Sequence, residues 1–119
     1  PVAPWTSNRK NNKAVLDGAL RGYRDAGLEV GFYTSPGPWS DIIGTARYGL
    51  PEWRTAGGHP WSDTDFSDSR RMCRVSSVQG GPILVAQWWD TVRGHDLLCP
   101  RARTSEWVDR LFINPGEYA

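Results

Sequence analysis

No apolar run in this chain approaches the roughly 20 residues that cross a bilayer, so no membrane partner is expected; the longest, Pro82 to Trp89, has the length of one strand. Net charge is nearly absent as well. Fourteen Lys and Arg stand against thirteen Asp and Glu, leaving +1, and the arginines are scattered among carboxylates, which argues against a basic groove and a nucleic-acid partner. Cysteine is scarce. Cys73 and Cys99 form no CxxC motif and have no Cys or His neighbours at metal-ligand spacing, so neither a redox motif nor a zinc site is expected. Two readings remain for them. In a secreted protein they form one disulfide, closing a loop of about 27 residues and contributing on the order of 3 kcal/mol; in a cytosolic protein they are buried thiols. Each lies beside a loop-rich, polar stretch, so the disulfide, and with it a secreted, extracellular protein, is the expectation. The chain starts at Pro1 with no initiator Met or signal peptide, so a processed or excised segment is expected.

Against these absences, seven tryptophans in 119 residues form the strongest compositional signal. Any one Trp is more often core than surface. Trp39 and Trp61, placed in loops, are the expected exceptions, because exposed indoles stack on flat apolar ligands such as sugar rings. The length allows one domain, residues 1–119.

The chain is organised around Gly27 to Ser35, Gly-Leu-Glu-Val-Gly-Phe-Tyr-Thr-Ser. Leu28, Val30 and Phe32 alternate with Glu29, Gly31 and Tyr33, the period of a strand with two different faces. Before it, Asn11 to Ala26 spaces Val15, Leu16, Ala19, Leu20 and Tyr23 as one face of a helix, capped by Thr6 or Ser7 and stopped by Gly27 in a left-handed conformation. Helix followed by strand predicts an α/β fold with a parallel sheet, with functional groups at strand C-terminal ends. Parallel strands are expected near 28–33, 51–54 and 82–88. Ser35-Pro36-Gly37-Pro38 reads as a turn, and Trp39 to Gly44 as one or two helical turns capped by Ser40. Thr55 to Ser69 reads as a long loop. Its Asp63, Asp65 and Asp68 lack the Gly and terminal Glu of a calcium loop, so neither metal nor cofactor is expected. Met72 to Val78 reads as a short strand or irregular segment, Asp90 to Leu98 as a loop, and Glu106 to Phe112 as a last helix burying Trp107, Val108, Leu111 and Phe112.

Taken together, Ala26 to Ser35, Trp39, Leu50-Pro-Glu-Trp53 and Gly80-Gly-Pro-Ile-Leu-Val-Ala-Gln-Trp88 with the later Asp96 resemble the second half of a glycoside-hydrolase-like, family 25 lysozyme-like β/α barrel of secreted bacterial proteins. The resemblance spans most of residues 11–99. It implies a partial (β/α) TIM-type barrel that cleaves glycosidic bonds, typically in peptidoglycan. By its pattern Tyr33, Trp53 and Gln87 match site-lining positions and Asp96 the late acidic residue, while Leu98 stands where the family often has Asn. The family's main Asp-x-Glu pair belongs on a strand that would run into Pro1-Val2 and is not in this sequence.

Glycoside hydrolysis needs two carboxyl groups flanking the bond. Here Glu52, Asp90 and Asp96 lie near strand ends without forming a close pair. A complete barrel takes about 250 residues, so half of one is expected, needing a second chain, a missing segment or a rearranged fold to cover its exposed edges. Two functions follow. The chain is a fragment of a secreted glycoside hydrolase, with Asp96 as weak catalytic candidate and Tyr33, Trp39, Trp53, Gln87 and Trp88 contacting the glycan; or it is a non-catalytic module binding glycan or protein. A Ser-His-Asp hydrolase built from Ser35, His59, His95 and Asp96 is disfavoured, since no G-x-S-x-G elbow is present. No Walker lysine follows Gly57-Gly58.

Overall fold

The computed structural model describes residues 5–58, 67–89, 94–100, 102 and 110–114. Along the chain these form α1 (Arg9–Asp25), β1 (Glu29–Thr34), α2 (Pro36–Ile42), β2 (Glu52–Gly58), α3 (Ser67–Met72), β3 (Ile83–Trp89), β4 (Gly94–Leu98) and β5 (Arg110–Ile113). The sheet order is β4-β3-β2-β1-β5. β1 pairs in parallel with β2 and β5, and β2 with β3; β4 lies antiparallel to β3. The fold is therefore α/β with a mostly parallel sheet, and all three strands expected to be parallel are.

Helix α1 begins at Asn8, whose side chain accepts from Asn11 N–H at 3.0 Å, rather than at Thr6 or Ser7. Thr6 is engaged otherwise. Its backbone N–H donates to Asn12 Oδ1 at 2.8 Å, and Asn12 Nδ2 donates in turn to the carbonyls of Thr6 (2.8 Å) and Ile42 (2.9 Å). Asn12 is 1% exposed, so this one amide ties the start of the chain and the end of α2 to α1 with its polar atoms satisfied. Leu16 and Leu20 form the buried stripe, whereas Val15 and Tyr23 are exposed. Gly27, at φ +78°, ends the helix, and Leu28 N–H closes onto Tyr23 C=O at 2.9 Å, the wrap-around bond of a glycine-terminated helix.

Strand β1 buries Val30, Phe32 and Thr34 against α1 and α2. Leu28, expected on that face, precedes the strand and is exposed. Helix α2 starts earlier than the sequence suggested. Ser35 is its N-cap, with Pro36 in the first turn, where a missing N–H costs nothing, so the prolines open the helix instead of making a turn before it, and Ser40 lies inside. Gly44, at φ +97°, follows its end. Fully burying a side chain such as Phe32 contributes roughly 1.5–3 kcal/mol; Phe32 also meets Trp39 and Tyr48 edge-on at 5.0 and 5.6 Å.

A second, smaller core gathers Ile83, Ala86 and Cys99 with Met72, Cys73 and Val75. The Cys73–Cys99 disulfide is formed, with Cα atoms 5.6 Å apart, and fastens the segment after α3 to the end of β4. Three expectations are corrected here and one alternative is decided. Strand β2 continues to Gly58 through the first part of the expected loop, of which 59–66 lies outside the described residues. Of the two readings of Met72 to Val78, the irregular one holds: Met72 ends helix α3 and turns and bends follow it. The expected loop 90–98 contains β4, because β3 offers it a hydrogen-bonding edge. The expected last helix is overturned at Arg110–Ile113, which joins β1 as β5; tertiary pairing overrides the helical spacing. Trp107 and Val108 lie outside the described residues.

Candidate functional site

Side chains at paired positions of neighbouring strands share a face. Tyr33 pairs with Trp53, Thr55 with Gln87, Gln87 with Asp96, and Gly31 with Phe112. The sequence candidates Tyr33, Trp53, Gln87 and Asp96 therefore stand together on the face opposite α1 and α2, towards the C-terminal ends of β1 and β3. Their contacts bear this out. Tyr33 Oη donates to Gln87 Oε1, the Tyr33 and Trp53 rings meet edge-on at 5.0 Å, and Trp53 Nε1 donates to Asp96 Oδ1 at 3.0 Å. Phe112 joins the row at 5.6 Å from Trp53.

Tyr33, Trp53, Gln87 and Phe112 are half-buried and Asp96 is exposed. The aromatic rings fix one another, and the two polar bonds fix their rotation. With one lone pair of Oε1 engaged by Tyr33, Gln87 retains its two Nε2 donors and a second acceptor site on Oε1. Asp96 brings negative charge beside an indole edge. The face thus combines flat apolar surface with one amide and one carboxylate, an arrangement suited to a ligand having both C–H faces and hydroxyl groups.

Trp39 does not belong to this face. It is 2% exposed, packs on Phe32 and Tyr48, and satisfies its indole N–H on the Ala46 carbonyl at 3.1 Å. The α2 helix turns it inward, which the loop reading of its surroundings missed. Trp88 lies in β3, where its backbone pairs with His95; its side chain lies outside the described residues, as do Trp61, His59, Asp63, Asp65 and Asp90. Phe112 escaped the sequence reading because it was assigned to a helix. Arg-Leu-Phe-Ile followed by Asn-Pro-Gly is the available signal, a short apolar run ended by turn residues.

Glu52, a carboxylate near a strand end, is structural. It is 0% exposed and accepts from Val78 N–H at 3.0 Å, Gln79 N–H at 2.9 Å and Gln79 Nε2 at 2.8 Å. Arg54 Nη1 lies 3.6 Å from Glu52 Oε1 and donates to Ser76 C=O at 2.9 Å. Burial pulls the Arg54 guanidinium below its ordinary pKa, opposed by the Glu52 charge. This network seats the 74–82 segment on β2, on the sheet face away from Trp53. Among the described residues, no group of three or more His, Cys, Asp or Glu is placed to hold a metal ion.

Compared with protein-family models, curated proteins and solved structures, the chain matches none.

Proposed function

We propose that this chain forms the substrate-lining part of a secreted, glycoside-hydrolase-like β/α barrel domain that acts on a glycan such as peptidoglycan. The observation that carries the reading is the row Tyr33, Trp53 and Phe112 with Gln87 and Asp96 at its side. Sugar rings lay their C–H faces on aromatic rings and exchange hydroxyl hydrogen bonds with amides and carboxylates, and this face offers both. Further support comes from the parallel run β3-β2-β1-β5, compatible with a barrel segment, and from the disulfide, which suits an oxidising compartment.

Cleavage needs a second carboxyl group, about 5 Å away for retention or 6.5 to 9.5 Å for inversion. Asp96 is the carboxylate beside this row among the described residues, and its Oδ1 already holds the Trp53 indole. In this reading the partner acid comes from a segment completing the barrel, and the chain by itself binds without hydrolysing. The same solitary carboxylate favours a second reading, a non-catalytic glycan-binding module.

Hydrolysis and retention of labelled peptidoglycan, measured for this chain and for a form extended upstream, separate the two. Turnover only in the extended form is expected from the hydrolase reading; retention without turnover in both selects the binding module. In either case Trp53→Ala and Gln87→Ala should weaken retention about tenfold or more, given the 1–3 kcal/mol of a lost contact to a polar or aromatic group. Retention unchanged in both variants, with circular dichroism showing them folded, would refute this face as the glycan contact.

A further inference from the structure

At the opposite end of β3 from Gln87, a cavity of about 780 Å³ opens between the end of α3 and the β3–β4 pair. Its apolar lining comes from Val75, Ile83 and Leu97, with the Cys73–Cys99 disulfide as part of its wall. Arg70, Arg74 and Ser77 supply the polar lining. A third guanidinium lies beside one of the lining residues: Gly80 lines the cavity, and an added Cβ there would meet Arg47 Nη2 at 3.1 Å. Arg47, Arg70 and Arg74 are all exposed. None of them makes an ion pair or side-chain hydrogen bond among the described residues, although this chain carries nearly as many carboxylates as cations. Arg71, between them, is engaged.

From this we infer that the cavity is a binding site for a small organic anion, a carboxylate or phosphate monoester carried on an apolar body. The volume falls within the roughly 300–1,000 Å³ of small-molecule pockets. The apolar lining takes a hydrocarbon or ring portion, and the guanidinium groups of Arg70 and Arg74, with Arg47 beside Gly80, take the anionic head, for which arginine's planar donor fork is matched. A neutral apolar ligand leaves those groups unused, and a bare inorganic anion leaves the lining unused. Both halves of the ligand are therefore required. The site is distinct from the aromatic row: Leu97 pairs with Ala86 and Ala86 with Arg54, on the sheet face away from Trp53 and Gln87, so it stands or falls separately from the glycan reading.

The test is titration calorimetry of the whole chain with octyl phosphate and octanoate, with octanol and inorganic phosphate as controls. Either octyl anion should bind at least tenfold tighter than octanol and than inorganic phosphate, and the tighter of the two identifies the head group. Arg70→Gln with Arg74→Gln should weaken the octyl anions about tenfold and leave octanol unchanged. Amide shifts on titration should cluster at Val75, Ser77, Gly80 and Leu98. Arg47→Gln, on a different loop, gives a second, independent reduction. The inference is overturned if octyl phosphate and octanoate bind no better than octanol, if the double variant binds them as the parent does, or if the shifts fall elsewhere.

Discussion

Replacing Glu52 by Gln changes the side-chain volume hardly at all, so its effect isolates charge and hydrogen bonding. In the native protein both carboxylate oxygens accept: Oε1 from Val78 N–H at 3.0 Å, Oε2 from Gln79 N–H at 2.9 Å and from Gln79 Nε2 at 2.8 Å. Whichever way the new amide is turned, its NH2 faces a donor. The better choice puts it at the Oε1 position, where it loses one bond and meets the Arg54 guanidinium, formerly 3.6 Å from a negative oxygen. Arg54 is 3% exposed and its Nε has no hydrogen-bond partner among the described residues, so a buried cation is left without its counter-charge. Breaking a buried pair from one side costs about 3–5 kcal/mol, and the lost hydrogen bond is part of that figure rather than an addition to it. For a domain of this size that is a fall in Tm of roughly 10–20 °C. Urea and thermal unfolding of Glu52→Gln measure it. Glu52→Gln with Arg54→Met removes both charges while the amide oxygen still accepts from Gln79, and should recover part of the loss, since no buried cation is then left without its counter-charge. A loss below about 1 kcal/mol in Glu52→Gln, or a double variant no better than the single, would refute the assignment of Glu52 as a structural anchor.

Gly81→Ala should be among the most damaging small substitutions, because its Cβ would lie 1.7 Å from the Leu50 carbonyl oxygen and 2.3 Å from its carbon. Relieving this moves the 48–50 segment off Gln79, which accepts from Tyr48 and Gly49 N–H at 3.0 and 2.9 Å; a loss of about 2–4 kcal/mol is expected, against little change for Gly37→Ala, where a Cβ meets nothing. Tyr48 Oη donates to Asp17 Oδ1 at 2.6 Å, and burial, then the Asp17 hydrogen bond and charge, raise the phenol above its ordinary 10.0. The folded phenol thus keeps its proton after the unfolded one has lost it, so the stability it contributes is complete below pH 10 and is lost as pH rises beyond it; Tyr48→Phe should abolish that alkaline loss, and parallel curves above pH 10 for parent and variant would contradict it. For Asp17, desolvation opposes ionisation but the Lys13 and Tyr48 hydrogen bonds outweigh it and lower the carboxyl below its ordinary 3.8, so this contribution is present above that pH and fades as pH falls through the folded value.

What could be read in the sequence followed from period and punctuation. Gly27, the α1 stripe and the alternation of β1 are local signals, and Tyr33 and Gln87 stand out from strand-end positions, whereas Trp53 and Asp96 enter through the resemblance to the lysozyme-like pattern. What could not be read depends on partners. Strand β4, Gly-His-Asp-Leu-Leu, is polar enough to resemble a loop until β3 offers it an edge, and β5 is a strand because β1 pairs with it. Trp39 resembles a surface residue until α2 turns it inward. The juxtaposition at the candidate site rests on a still less visible feature. Glu52 pairs with Ile83 but Trp53 pairs with Val85, so β3 carries one residue more than β2 at Leu84. Without that bulge Trp53 would oppose Leu84 and Thr55 would oppose Ala86, leaving Gln87 on the face of Arg54, since a shift of one residue exchanges the faces of a strand. The single extra residue therefore brings the Gln87 amide to Tyr33 and, through the β3–β4 register, the Asp96 carboxylate to the Trp53 indole. Aromatic, amide and carboxylate residues spread from Tyr33 to Asp96 become one surface only because β3 is one residue out of step with its neighbour.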